Sequence, residues 1–279
     1  MGYPADWRVT SQCTLTCDFC YGPVPGNDPI DSRLKILRAL RDSSADVITF
    51  CGGEPLLIKE IGDYAAELKS AGKRTILNTN GSLLRRRISE GMPMAFDVIG
   101  LSLDGSTEAM HREMRGRRAD FKAVLNAVQI IAEYPWIDLK IATVVSAVNQ
   151  DDILALGELI RELEPAIWRL YQYTETGAYN RGRARHRIPL ATFMNTAGLA
   201  RAAVAPIKLF ASTSDQQGPG CLLISMDGTV FQATPELDIV YGNCLEESLD
   251  QIWHKVPHSQ VIIRNKQWHG TLSESSHAL

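Results

Sequence analysis

Three cysteines stand within eight residues in CTLTCDFC, at Cys13, Cys17 and Cys20, in a chain that holds six cysteines in all. A disulfide would use two of these thiols and strand the third. A structural zinc site usually closes its tetrahedron with a second cysteine pair further along, and none follows here. An iron–sulfur cubane is normally held by four thiolates but can be held by three, which leaves one iron open to another ligand. An open metal position marks a site of chemistry rather than of structure. Zinc and unligated buried thiols are the alternatives to the cluster.

Such a site needs a rim to hold it, and the chain supplies one by repetition. Trp7 to Gln12 reads as a strand, GPVPGNDP as a loop, and Ile30, Leu34, Leu37 and Leu40 recur at helical spacing. The cycle returns with strands at Val47–Cys51, Arg74–Asn78, Phe96–Leu103, Ile137–Val145 and Ala166–Gln172, separated by helical patterns. Alternating strands and helices joined by short turns imply a parallel sheet with right-handed crossovers. The predicted fold is α/β, a partial (β/α)6 TIM-like barrel over residues 1–188, with a small hairpin-plus-helix extension over 189–279 covering the substrate side. In that extension a helix is expected from Leu190 to Val204, a strand near Ile207–Ala211, a hairpin turning on Asp227-Gly228, and a helix containing Leu249, Ile252 and Trp253. Loops at the carboxyl ends of parallel strands share one rim. There stand Cys13–Cys20, Gly52–Pro55, Thr79–Gly81 and Ser102–Gly105.

Composition narrows the setting. The 279 residues are 45% hydrophobic, enough for one large core. A net charge of −3, from 29 basic and 32 acidic residues, gives no global field to recruit nucleic acid or an anionic membrane. No run reaches the ~18 apolar residues of a membrane span, and MGYPADWRVT lacks a basic segment followed by an apolar one. A reducing, cytoplasmic compartment is expected from this cysteine usage.

Cys13, Cys17 and Cys20, with Phe19 just before the last, match the CxxxCxxC signature of the radical S-adenosylmethionine superfamily. The resemblance extends to Gly52-Gly53-Glu54-Pro55, Asn78-Thr79-Asn80-Gly81 and Ser102-Leu103-Asp104-Gly105, and covers residues 7 to 172. It implies a [4Fe–4S] cluster on the three cysteines, whose open iron takes the amino and carboxylate groups of S-adenosylmethionine. Reductive cleavage then gives methionine and a 5′-deoxyadenosyl radical that removes a hydrogen atom from substrate, with flavodoxin or ferredoxin as electron donor. By that resemblance Gly52 and Gly53 let backbone groups approach the methionyl ammonium, and Glu54 accepts its hydrogen bonds. Ser102, Asn80 and Arg115 are candidates for the methionyl carboxylate and ribose, Asp104 for ribose hydroxyls, and Tyr171 for a further cofactor contact.

The substrate is read from the rest of the chain. Cys221 and Cys244 flank the hairpin in a setting that resembles the extension called SPASM or twitch in peptide- and sugar-modifying relatives, but two cysteines are too few for another cluster. Each is instead a candidate hydrogen-atom donor, which points to redox-neutral epimerisation of a sugar, aminosugar or nucleoside in natural-product biosynthesis. Residues 140 to 188 resemble viperin-like nucleotide dehydratases, through Trp168, Arg169, Tyr171 and Gln172, with Lys140 and Arg115 at phosphate-binding places. A peptide-modifying enzyme is the third reading. RGRARHR at 181–187 reads as a solvated connection or an anion contact.

Overall fold

The computed structural model describes residues 2–22, 28–176, 180, 182–217, 222–234 and 237–257. Six strands recur where the repeat predicts them: β1 (Tyr3–Thr10), β2 (Ala45–Gly52), β3 (Arg74–Thr79), β4 (Val98–Ser102), β5 (Asp138–Val145) and β6 (Ile167–Gln172). Between them run α1 (Ile30–Asp42), α2 (Ile61–Ser70), α3 (Leu84–Ser89), α4 (Glu108–Arg115), α5 (Phe121–Ala132) and α6 (Ile153–Leu163). There follow α7 (Leu190–Val204), β7 (Lys208–Ser212), α8 (Ser214–Gln217), β8 (Leu223–Ile224), β9 (Thr229–Gln232), β10 (Ile239–Asn243) and α9 (Leu249–Lys255).

The strands form one ten-stranded sheet in the order β10-β9-β8-β1-β2-β3-β4-β5-β6-β7. Neighbours from β1 to β7 are all parallel. The residues after 188 therefore do more than add a hairpin. β7 continues the parallel run beyond β6, while β8 pairs parallel with β1 at the opposite edge and turns antiparallel into β9. The expected turn is there, with Gly228 at φ 84° donating its N–H to Ser225 O at 3.1 Å. β10, which the hydropathy pattern does not announce, pairs antiparallel with β9.

Strand alternation sorts the side chains into two sets. Trp7, Phe50, Leu77, Ile99, Ile141 and Trp168 are buried in the main hydrophobic core. Trp7 packs on Phe50 and Tyr64 with centroids 5.7 and 5.9 Å apart. The residues between them face the other way, and toward the carboxyl ends of the strands they are polar or small. Register lines them up across strands: Arg8 beside Cys51, Asn78 beside Gly100 and Lys140, Ser102 beside Ala142 and Arg169. A Cβ on Gly100 would lie 2.5 Å from both Asn78 Oδ1 and Lys140 Cε. A larger residue there would push both side chains from these positions.

Local capping fixes the elements that carry site residues. Thr107 Oγ1 accepts the Met110 N–H at 3.2 Å to start α4, and Gly116 at φ 89° ends it directly after Arg115. Asp120 Oδ1 accepts the Ala123 N–H at 3.0 Å to start α5. In α9, Ser248 and Gln251 make a capping box. No helix among the described residues is long and apolar enough to cross a membrane.

Candidate active site

The three clustered cysteines occupy the loop after β1, with Cys13 and Cys20 exposed and Cys17 partly so. Backbone amides point at two of the sulfurs, Leu15 N–H to Cys13 Sγ at 3.4 Å and Gly22 N–H to Cys20 Sγ at 3.2 Å. Amide donors of this kind stabilise a thiolate. Burial pushes the Cys17 thiol up to about 12, opposed chiefly by the Arg115 guanidinium. In the metal-free loop the thiol therefore keeps its proton until a metal displaces it. Among the described residues no three His, Cys, Asp or Glu side chains converge on one ion. A cubane binds each thiolate at a different iron and needs no such convergence. Three thiols on one short loop, two of them with amide donors, fit that group.

The Gly52-Gly53-Glu54-Pro55 turn docks this loop. Gly53 N–H donates to Thr10 O and Glu54 N–H to Gln12 O, each at 2.8 Å. A Cβ on Gly53 would stand 2.0 Å from Gln12 O, and Gly52 has φ 123° with only 2.4 Å to Thr10 O. Both glycines thus serve the approach of the cysteine loop's backbone. Glu54 is buried, and its carboxylate takes Thr79 Oγ1–H at 2.6 Å, Asn80 N–H at 2.9 Å and Leu56 N–H at 3.1 Å. Burial pushes that carboxyl up against these donors. In this structure Glu54 welds the loop after β2 to the loop after β3. Asn80 extends the weld, donating from Nδ2 to Thr14 Oγ1 at 3.0 Å inside the cysteine loop.

Asp104 departs from the ribose contact expected of it. It is fully buried, accepts the Val144 N–H at 2.6 Å on Oδ1 and pairs through Oδ2 with Arg115 Nε. With both oxygens engaged inside the protein, it positions Arg115. Burial works against the arginine's charge, and the Asp104 carboxylate outweighs it, holding the guanidinium above its ordinary value. That guanidinium stacks over Phe19 at 5.6 Å, next to Cys20.

The sheet face opposite the core encloses a cavity of about 260 Å³. Cys20, Gly22, Gly52, Ser102 and Arg115 line it on the side of the cysteine loop. Asp6, Arg8, Thr49, Cys51, Asn78, Lys140, Arg169 and Tyr171 are among the residues that line the remainder. Sequence reasoning picked out Ser102, Arg115, Lys140, Arg169 and Tyr171 but missed Asp6, Arg8, Thr49 and Cys51 as site residues. Their signal is a polar residue at every second position of an otherwise apolar parallel strand, D-W-R in β1 and T-F-C in β2.

Cys244 does not belong to this cavity. It is buried in the hydrophobic core with Leu249, Ile252 and Val256, its N–H bonded to Gly228 O at 2.8 Å, and burial pushes its thiol up to about 12. Cys221 lies outside the described residues. The basic segment braces the cysteine loop. Arg185 pairs with Asp18 at 3.0 Å and Glu113 at 3.1 Å, and the buried His186 ring meets Asp18 Oδ1 at 2.8 Å. Arg187 pairs with Glu175.

Residues 7–160 match the family described as the Radical SAM superfamily. An AdoMet-dependent heme synthase of Methanosarcina barkeri is 27% identical over 179 residues, 61% of this chain and 50% of that protein. An S-adenosylmethionine-dependent nucleotide dehydratase of Lacinutrix mariniflava is 32% identical over 181 residues, 60% of this chain and 37% of its own. The chain thus spans half or less of these relatives' length. Streptococcus suis SuiB bound to S-adenosylmethionine superposes with a TM-score of 0.70 at 16% identity, over 95% of this chain and 68% of SuiB. Native anSMEcpe with bound AdoMet and Cp18Cys peptide gives 0.69 at 16% identity, over 95% of this chain and 84% of its own. At such identity the likeness is one of fold.

Proposed function

The chain belongs to the radical SAM superfamily, whose members use a [4Fe–4S] cluster and S-adenosylmethionine, and we propose that it removes a hydrogen atom from a small, polar, anionic molecule and returns one, epimerising a carbon of a sugar or nucleoside. When bound, the reduced cluster and S-adenosylmethionine together supply the carbon radical that starts such chemistry. The observation that carries the reading is the cavity: Arg8, Lys140 and Arg169 line the same space as Cys20, Gly52, Ser102 and Arg115. Three cations from β1, β5 and β6 outnumber the one carboxylate, Asp6, that lines the same face, a balance that favours an anionic substrate group.

In this reading Cys13, Cys17 and Cys20 hold the cluster, and Ser102 and Arg115 face the methionyl end of S-adenosylmethionine. The welded loops keep those groups in register. Electrons come from a flavodoxin- or ferredoxin-class protein.

Dehydration of a nucleotide is the second reading, favoured by the three cavity cations and by the likeness of residues 140 to 188. One anaerobic assay separates the two. The reconstituted protein is given S-adenosylmethionine, a strong reductant and candidate phosphosugars, uronates and nucleotides. Epimerisation raises 5′-deoxyadenosine output and yields a product of unchanged mass. Dehydration yields one lighter by a water. If no 5′-deoxyadenosine forms, or if Cys13→Ala, Cys17→Ala and Cys20→Ala each form it as well as the parent protein, the enzyme reading is wrong.

A further inference from the structure

An epimerisation needs a hydrogen-atom donor that opens onto the substrate cavity, and among the described residues Cys244 does not. Two described cysteines line the cavity, Cys20 and Cys51. Cys20 belongs to the cluster loop and has no proton to give once it binds iron. Cys51 lies on β2 one residue before Gly52, beside Arg8 of β1, and is partly exposed to the cavity.

A second observation indicates that this stretch of β2 faces a ligand. Thr49 lies two residues back on the same strand face, about 7 Å away at the rise of a strand. It is 2% exposed, lines the same cavity, and its Oγ1 has no hydrogen-bond partner. A buried hydroxyl left unbonded is costly, and a polar ligand in the cavity would satisfy it. A substrate that engages Thr49 lies against Cys51.

We propose that Cys51 returns a hydrogen atom to the substrate radical. The step rests on the epimerase reading above. The S–H bond of Cys51 breaks homolytically, a C–H bond forms on the substrate, and the sulfur is left as a thiyl radical. One electron from an iron–sulfur or flavin protein and one proton from solvent restore the thiol. The substrate gains and loses one hydrogen atom, so its oxidation state is unchanged. Donation requires a protonated sulfur, and the site provides it: burial pushes the Cys51 thiol up and the Asp6 carboxylate adds to that, with Arg8 and Lys140 opposing.

Two measurements test this without a known substrate. In the first, the cluster-loaded protein is treated with methyl methanethiosulfonate, a small neutral thiol reagent, and modified peptides are quantified by mass spectrometry. Cys51 is expected to react well before Cys244. Equal or slower reaction means that its thiol does not open into the cavity, and overturns the proposal. In the second, the protein turns over S-adenosylmethionine alone with dithionite in thiol-free deuterium oxide. An exchanged S–D of Cys51 then leaves deuterium in the 5′-deoxyadenosine, read as label per molecule formed.

The label is expected in the parent protein and in Cys244→Ala. It is expected to be lost in both Cys51→Ser and Cys51→Ala, so that a folding failure of one variant leaves the other to decide. Unlabelled 5′-deoxyadenosine from the parent protein, label that survives both Cys51 variants, or label lost on Cys221→Ala instead overturns the assignment while the enzyme reading stands. If no 5′-deoxyadenosine forms at all, the enzyme reading falls and this one with it.

Discussion

Replacing Gly53 by alanine should undock the cysteine loop, because the added methyl would stand 2.0 Å from Gln12 O and 2.5 Å from Gln12 C. Neither atom can swing aside, since both are backbone. The two strands of chain must separate, which strains or breaks the bonds from Gly53 N–H to Thr10 O and from Glu54 N–H to Gln12 O. Two hydrogen bonds at about 0.5–1.5 kcal/mol each and an overpacking cost of about 1–3 kcal/mol give a loss of about 2–6 kcal/mol. Urea unfolding of the metal-free protein reads this as a lower midpoint. Iron and sulfide bound per chain after anaerobic reconstitution should fall as well, because the displaced segment carries the thiols. Gly198 in α7 supplies the opposite control. A Cβ there meets nothing within 4 Å, so Gly198→Ala should gain up to about 1 kcal/mol and leave iron uptake alone. If Gly53→Ala unfolds within about 0.5 kcal/mol of the parent and binds iron equally well, the docking argument is refuted.

Asp104→Asn leaves Arg115 buried beside a neutral amide and should cost about 3–5 kcal/mol, seen as a lower urea midpoint at constant slope. A midpoint that does not move would show that the pair holds nothing in place. The Asp250 carboxyl is pushed up by burial but held below its ordinary value by the Ser44 amide and hydroxyl and the Tyr3 hydroxyl. Its folded pKa is depressed, so its contribution is full above the unfolded value of about 3.9 and disappears as pH falls through the lower folded value. The stability gap between the parent and Asp250→Asn should therefore be flat from neutral pH down to about 4 and close below that. A gap that instead closes on the alkaline side contradicts the assignment.

The strand and helix succession was legible because each element is long enough to display its period. The helix at Leu190–Val204 has the bounds that its apolar spacing implies, and the six early strands agree to within a few residues. Sheet membership of the strands after residue 188 was not legible. Nothing in KLFAS says that it pairs with β6, or in LI that it pairs with β1, because partner choice depends on what is left unpaired at the two edges. At the site, the cysteine triplet and the glycine turn are local in sequence and could be read directly. Asp104 was misread because the groups that occupy its oxygens come from 11 and 40 residues away. Cys244 was misread for a related reason. A thiol's chemistry is written in its residue type, but the side of the sheet to which it is delivered is not.

The Tyr3 hydroxyl reaches Asp250 at 2.8 Å, its ring stacks on Trp253 at 4.5 Å, and β1 gains its second neighbour only with Leu223 and Ile224. These contacts set an order of events during synthesis. At about 5–20 residues per second, the 247 residues between Tyr3 and Asp250 take roughly 12–50 s to emerge from the ribosome. Until β8 emerges, within that interval, one edge of β1 is bare, a template for wrong pairing. The loop that carries the three thiols is docked early, by Gly53, Glu54 and Asn80, but the strand it grows from keeps one open edge until β8 arrives, so a cluster inserted on the nascent chain would meet a loop whose supporting strand is still half paired.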